Sequence, residues 1–233
     1  MQTNTYKSGS PKNKSCMVLL SGGQDSTTCL FWAKEHFEQV QAIGFNYGQK
    51  HKAELAAAER IARRARVPYQ IYDVRQLLAA SSLTHAGAHD AQSAINDSLP
   101  NSFVAGRNLL FLSIAGSKAA EQGINDIVAG VCQTDYSGYP DCRRATIDAM
   151  QLSLSLGLGI GDVRIHTPLM YLTKAETWRL AQTLGILDVV INDTVTDYNG
   201  DQTPNDWGQG QLDNPASILR QKGYEEAKNN GWI

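Results

Sequence analysis

The hexapeptide Ser21-Gly22-Gly23-Gln24-Asp25-Ser26 constrains this chain more than any other stretch. It follows an apolar run, Cys16 to Leu20, that reads as a strand, and it leads into a helix whose first turn holds Asp25, Ser26, Thr27 and Thr28. Strand, double-glycine turn and helix N-terminus together make an anion cradle. The glycines let backbone approach a phosphate, and the free N–H groups at the positive end of the helix dipole face it. Ser21, Ser26 and Thr27 add hydroxyl donors, while Asp25 stands where a carboxylate caps the helix or holds a magnesium ion. A plain helix N-cap after a glycine turn is the alternative reading. The stretch has neither the Gly-x-x-x-x-Gly-Lys-Ser/Thr spacing of a Walker loop nor the Gly-x-Gly-x-x-Gly of a dinucleotide fold.

Ser-Gly-Gly-x-Asp-Ser after a first strand resembles instead the pyrophosphate loop of the ATP pyrophosphatases, which split ATP between its α and β phosphates. The strand-loop-helix context that this resemblance requires is present.

At 233 residues and 42% hydrophobic composition, the chain is long enough for one large domain or a domain with an appendage. The division read from the sequence is a flexible leader over 1–15, a nucleotide-binding domain over 16–184 and an appendage over 185–233. A net charge of −2 supplies no bulk positive field, so neither direct nucleic-acid nor membrane binding is expected. No apolar run approaches the roughly 18 residues of a membrane span. The leader is polar, with Lys7, Lys12 and Lys14 among Ser, Asn and Gly, which is unlike a signal peptide, and the expected location is cytoplasmic. Cys16, Cys29, Cys132 and Cys142 are scattered without metal-ligand spacing, and the first two read as small core residues.

Beyond the loop, Cys29 to Phe37 continues the helix. Gln41 to Phe45 reads as a second strand ending at Asn46-Tyr47-Gly48-Gln49, Lys50 to Arg66 as an Ala-rich helix with a solvated charged face, and Tyr69 to Asp73 as a third strand. Leu77 to Phe103 loses all periodicity and reads as a lid or binding loop; its His85 and His89 lack a third metal ligand. Leu109 to Ala120 is an apolar helix with Arg107 at its mouth, placed to meet an anion or a carboxylate, a surface salt bridge being the alternative.

Ile124 to Gly130 is a fourth strand, emptying into a loop from Val131 to Arg143 that contains Thr134, Asp135, Tyr136, Tyr139, Asp141 and Arg143. Tyrosine faces and aspartate acceptors suit a flat, purine-like ring. A helix from Arg143 to about Leu156 and a strand from Val163 to His166 follow, and then Thr173 and Glu176 form a capping box. Lys174, in the first turn of that helix, opposes the dipole, and a bound phosphate would account for it. After Gly185 periodicity is weak until Ala216 to Ala227.

Strands alternating with helices imply a mostly parallel sheet covered on both faces, with these motifs converging at the strands' C-terminal ends. The fold class is therefore α/β, a doubly wound, parallel five-stranded sheet with a small C-terminal helical appendage, and the resemblance of the first loop implies that it is of the adenine nucleotide alpha hydrolase-like (PP-loop) kind.

Five motifs carry a closer resemblance. They are Ser21 to Ser26; Phe45-Asn-Tyr-Gly48-Gln49 with His51 and Glu54; Phe103-Val-x-Gly-Arg107-Asn108; Gly130-Val-Cys-x-Thr134 through Gly138-Tyr139-Pro-Asp141-Cys-Arg143; and Thr167-Pro-Leu through Lys174-x-Glu176-Thr177. In order, and over nearly the whole chain, they resemble the 7-cyano-7-deazaguanine synthase family. The resemblance implies a carbon–nitrogen ligase that adenylates the carboxylate of 7-carboxy-7-deazaguanine with ATP and Mg²⁺, releases pyrophosphate and passes the acyl group to ammonia. A second activation would dehydrate the amide to the nitrile, a precursor of queuosine.

By the same resemblance, Leu20, Ser21, Gly22, Gly23, Gln24, Asp25, Ser26 and Thr27 hold ATP and its pyrophosphate, with Phe45 and Tyr47 bordering the base. Lys174 and Arg107 meet phosphate charge and, with Asp25, do the catalytic work; Asp25 is also the candidate Mg²⁺ ligand. Gly130, Thr134, Tyr136, Tyr139, Asp141 and Arg143 bind the deazaguanine. A homodimer is the family expectation.

The departure lies near the C-terminus. The family carries four cysteines there for a structural zinc, and this chain reads Asp197-Tyr-Asn-Gly200, Trp207-Gly-Gln-Gly210, Asn214-Pro-Ala-Ser217 and Leu219-Arg220-Gln-Lys-Gly223 instead. Asp, Asn and Ser do not replace thiolates in a tetrahedral soft site, so no zinc is expected. The loss admits a second activity, in which a relative from an antiviral defence operon joins the activated deazaguanine to the N-terminal amine of a partner protein. A non-catalytic ATP or deazaguanine sensor is the other alternative, and the intact phosphate motifs oppose it.

Overall fold

The computed structural model describes residues 13–49, 52–78, 103–134 and 139–233. Most of the lid-like stretch, with His85 and His89, and also His51, Asp135 and Tyr136, lie outside the described residues.

Five parallel strands form the central sheet: β1 (Asn13–Leu19), β2 (Phe37–Asn46), β3 (Tyr69–Asp73), β4 (Asp126–Val128) and β5 (Arg164–His166), in the order β3-β2-β1-β4-β5. The expected doubly wound sheet is thus the one found. Its order reverses between β1 and β4, and a crevice opens at such a switch point beyond the strands' C-terminal ends.

Alternation along the strands sends side chains to two cores. Cys16, Val18, Leu20 and Ala42 face α1 (Gln24–His36), α2 (Ala53–Ala65), α5 (Lys174–Thr183), α6 (Leu187–Asp193) and α7 (Pro215–Asn229). Met17, Ile43, Phe45, Ile127 and Ile165 face α3 (Arg107–Ala120) and α4 (Arg144–Leu158). Cys16 and Cys29 are wholly buried, as core residues.

Several boundaries move. β1 begins at Asn13, inside the stretch read as leader. α1 ends at His36, and Phe37 opens β2 at once, so β2 is longer than the apolar run from Gln41 suggested. α3 takes in Arg107 as its first residue. The capping box is present: Thr173 accepts from the Glu176 N–H, and Glu176 accepts from the Thr173 N–H at 2.7 Å. The weakly periodic segment contains α6 and a short antiparallel pair, β6 (Pro204–Asn205) with β7 (Gly208–Gln209).

The region from Val195 to Ala227 packs onto the same core as α1 and α5. Among the described residues no helix is long and apolar enough to cross a membrane.

Candidate active site

The double-glycine turn sits at the switch point. Gly22 adopts φ 92°, and a Cβ there would meet the Glu54 carbonyl at 2.3 Å and the Ala58 N at 2.7 Å, so the first turn of α2 presses directly on the loop. A Cβ on Gly130, just beyond β4, would lie 3.0 Å from the Ser26 N. Gly130 is thus a close-approach position against α1, an environment that binding-residue patterns do not reveal. The Ser21 and Ser26 hydroxyls lie 3.0 Å apart, and Ser26 Oγ also accepts from the Ser21 N–H at 3.2 Å. Leu20 is buried and receives the β2 ladder through its N–H.

Among the described residues, three buried atoms at the start of α1 lack hydrogen-bond partners: Gln24 Nε2, Gln24 Oε1 and Thr27 Oγ1. Buried polar atoms are rarely left unpaired, so these call for a water or a bound group.

Asp25 does not cap α1, whose N-cap is Gly23 without a side-chain hydrogen bond. Its carboxylate instead accepts from Lys174 Nζ at 3.0 and 2.8 Å. Only 10% of the Lys174 side chain and 27% of that of Asp25 are exposed, so water screens the pair weakly. The awkward lysine at the start of α5 therefore has a protein counter-ion, and it is delivered into the cradle. A Cβ on Gly223 would meet Lys174 Cβ and Cγ at 2.7 Å, so α7 lies flush against that lysine.

A second group gathers around Arg107. Its guanidinium lies 5.7 Å from the centroid of the Tyr47 ring. Burial works against its charge, but Tyr47, Tyr139, Asp141 and Tyr198 outweigh that and hold its pKa above the usual arginine value. Burial, then Glu54, pushes the Tyr47 phenol up. Burial also raises the Glu54 carboxyl to about 7, with Arg107 pulling the other way.

Asp141 is buried, and its Oδ2 accepts the Asn108 N–H at 3.1 Å, capping α3 from another element. Phe45 is buried and stacked on Phe111 at 4.1 Å between ring centroids, as part of a core wall. Tyr139 packs against Phe103. Thr134 donates to the Leu172 carbonyl, and the Gln133 N–H donates to Met170 O at 2.9 Å, tying the loop after β4 to the loop after β5. Arg143 is the exposed N-cap of α4.

Asp197, Asn214 and Ser217 of the cysteine-free segment form a hydrogen-bonded knot. Asp197 is wholly buried, and its Oδ2 accepts from Asn214 Nδ2 at 2.7 Å, Ser217 Oγ at 2.9 Å and the Gln211 N–H at 3.2 Å. Its Oδ1 accepts from the Asn199 N–H at 2.7 Å. A Cβ on Gly210 would stand 2.8 Å from Asp197 Oδ2. Donors converging on one carboxylate suit an anion, and the set offers no soft ligand, so these residues do not fit zinc. Among the described residues no three His, Cys, Asp or Glu side chains are grouped to hold a metal.

Sequence reasoning passed over Thr196 and Arg220. Arg220 is buried and donates to the Trp207 carbonyl, Thr194 Oγ1, Thr196 Oγ1 and the Val190 carbonyl at 2.7 to 2.9 Å. No local pattern distinguishes a surface arginine on an amphipathic helix from one turned inward.

A parallel sheet with a glycine-turn anion cradle at its switch point, and a lysine brought in opposite, defines a nucleotide-using α/β enzyme of the ATP pyrophosphatase class. Among the solved structures that share the fold are two. They are the U34-tRNA thiolase NcsA from Methanococcus maripaludis with its [4Fe-4S] cluster (TM-score 0.51, 16% identity, 94% of this chain and 68% of that one) and a 4-thiouridine synthetase in an RNA complex with bound ATP (TM-score 0.50, 17% identity, 93% and 51%). The family model described as Queuosine biosynthesis protein QueC matches residues 15–228, and the chain belongs to that family. It is 52% identical over 217 residues to the 7-cyano-7-deazaguanine synthase of Bacteroides fragilis, covering 92% of this chain and 96% of that one. It is 49% identical over 214 residues to the synthase of Clostridium acetobutylicum, covering 91% and 94%. The activity class is accordingly an ATP-dependent carbon–nitrogen ligase.

Proposed function

We propose that the chain converts 7-carboxy-7-deazaguanine to 7-cyano-7-deazaguanine by two rounds of ATP-driven activation. The observation that carries this reading is the meeting of Lys174 and Asp25 across the glycine loop at 2.8 Å, in a chain about half identical to named synthases along its length. In the first round a carboxylate oxygen of the substrate attacks the α-phosphorus of ATP, and the bond to the bridging oxygen breaks to release pyrophosphate. Ammonia adds to the acyl carbon, AMP leaves with the former carboxylate oxygen, and an amide results. In the second round the amide oxygen attacks the α-phosphorus of another ATP; loss of AMP and two protons leaves the nitrile.

Charge builds on the departing pyrophosphate, and positioned donors stabilise it without reorganising. Ser21, Ser26, Thr27 and the first N–H groups of α1 supply such donors, and Lys174 and Arg107 supply cationic charge. The unpaired Gln24 carboxamide and Thr27 hydroxyl gain partners when the cradle fills. Mg²⁺ carried in by the triphosphate would neutralise phosphate charge, and Asp25 retains carboxylate lone pairs to serve as its hard oxygen ligand. Tyr139 and Asp141, with Thr134 and Arg143 on the same loop, border the space for the ring beside Arg107, which would meet the substrate carboxylate. The knot around Asp197 supplies locally what a metal would otherwise supply, so loss of the cysteines requires no change of nucleophile.

The test is mass spectrometry of the purified protein with ATP, Mg²⁺ and 7-carboxy-7-deazaguanine, with ammonium and, separately, with the proteins encoded beside it. Free nitrile supports the proposal. An amide-sized adduct on a neighbouring protein, with AMP released and little nitrile, overturns it in favour of the protein-modifying defence activity.

A further inference from the structure

The segment from Thr194 to Thr196 runs directly behind the glycine loop. The Val195 N–H donates to Gly22 O at 3.1 Å. A Cβ on Gly23 would stand 3.7 Å from Ser21 Oγ and 3.8 Å from Thr196 Oγ1, so the two hydroxyls flank the second glycine. The Gln24 N–H, first of the free donors of α1, points at Thr196 Oγ1 at 3.4 Å.

Arg220 Nη1 donates to the same Thr196 oxygen at 2.8 Å. A hydroxyl has two lone pairs and one proton. With both lone pairs taken, Thr196 is left as a donor, and among the described residues its proton has no acceptor. A guanidinium pulling on the oxygen makes that proton a stronger donor, as in any polarised chain of hydrogen bonds.

Arg220 itself is costly to keep. It is 1% exposed, and among the described residues no carboxylate lies within ion-pair reach of it. Its acceptors are neutral, and its ring neighbour is Trp178 at 5.6 Å. An unpaired buried charge is destabilising, and an apolar or amide side chain would fill the same space at lower cost. The nearby turn is nevertheless shaped to it: a Cβ on Gly208, at φ 122°, would fall 2.2 Å from Arg220 Nη2. Burial lowers its pKa to about 10, which leaves it charged at neutral pH, and the acidic group acting on it is Asp25, in the cradle.

We propose that Thr196 is an anion-binding donor of the cradle and that Arg220 is the positioning residue that fixes and polarises it. The charge missing beside Arg220 is then supplied by the polyphosphate, one hydroxyl away. This inference rests on the reading of the glycine loop as the pyrophosphate site.

Calorimetric titration of the full chain with magnesium pyrophosphate tests both, alongside melting temperatures. Wild-type binding supports the site reading; no wild-type binding overturns that reading and this inference with it. Given binding, Thr196→Val is expected to weaken it about tenfold to a hundredfold, the size of one hydrogen bond to a charged group. Thr196→Ser, which keeps the hydroxyl, restores it to within about threefold. Arg220→Met weakens binding at least as much as Thr196→Val, and the double variant is no weaker than Arg220→Met, because one acts through the other. Unchanged affinity in Thr196→Val, equal weakening in the valine and serine variants, or multiplying effects in the double variant would each overturn the proposal. If Arg220→Met fails to fold, the two Thr196 variants still decide it.

Discussion

The Tyr69 hydroxyl donates to the Leu20 carbonyl at 3.2 Å, reaching from β3 across β2 to the residue at which β1 gives way to the glycine loop. Gly44 makes the crossing possible. A Cβ there would lie 1.8 Å from the Tyr69 oxygen and 2.6 Å from its Cζ. Gly44→Ala is therefore expected to expel the ring and cost about 1–3 kcal/mol, the usual scale for overpacking. Chemical denaturation of Gly44→Ala, Tyr69→Ala and the double variant checks this: the double should lose less than the sum of the singles.

Gly223 offers a way to move Lys174 without touching its charge. Gly223→Ala drives a methyl into Lys174 Cβ and Cγ. The expected result is a fall of about tenfold to a hundredfold in the rate of ATP–pyrophosphate exchange, as for displaced positioning groups, with the variant still folded. Exchange at the wild-type rate would mean that Lys174 does not act from its present seat.

Glu54 sets a pH slope. Its carboxyl is raised from 4.5 to about 7 by burial, with Arg107 opposing. Between those values the folded chain holds a proton that the unfolded chain has lost, so this contribution to stability is complete below about 4.5 and fades as the pH rises through 7. Melting temperatures of wild type and Glu54→Gln across that window should show the wild-type curve falling relative to the variant. Parallel curves would place the titration elsewhere.

The Asp197 knot predicts indifference to chelators. Incubation with EDTA should leave the melting temperature unchanged, and elemental analysis should find well under one zinc per chain. Asp197→Ala strands buried donors on Asn214 and Ser217, at about 1–3 kcal/mol per unsatisfied group. A melting temperature that drops on metal removal would contradict this account.

The sheet was legible because β1 and β3 are short apolar or alternating runs bounded by turns, and Tyr69–Asp73 lies where the sequence places it. The capping box was legible because it is local. α6 was not: its Leu187, Val189, Val190 and Ile191 occupy under two turns just after Gly185, too few to set a period. The loop, Lys174 and Arg107 were identified as charged or glycine-rich outliers against their surroundings. Their partners were not, because Asp25 and Lys174 lie 149 positions apart and the lysine's awkward place pointed to a bound phosphate rather than to a carboxylate of the chain. Thr196 and Arg220 become visible only when α7 folds back behind the first loop.

That fold-back has a consequence in time. Synthesis proceeds from the N-terminus, so the loop at Ser21 emerges before Thr196, Arg220 and Gly223, which back the loop and seat Lys174. Contacts of such long sequence separation form late. A nascent chain halted before α7 would carry the glycine turn, Thr196 and Lys174, but neither Arg220 behind Thr196 nor Gly223 beside Lys174.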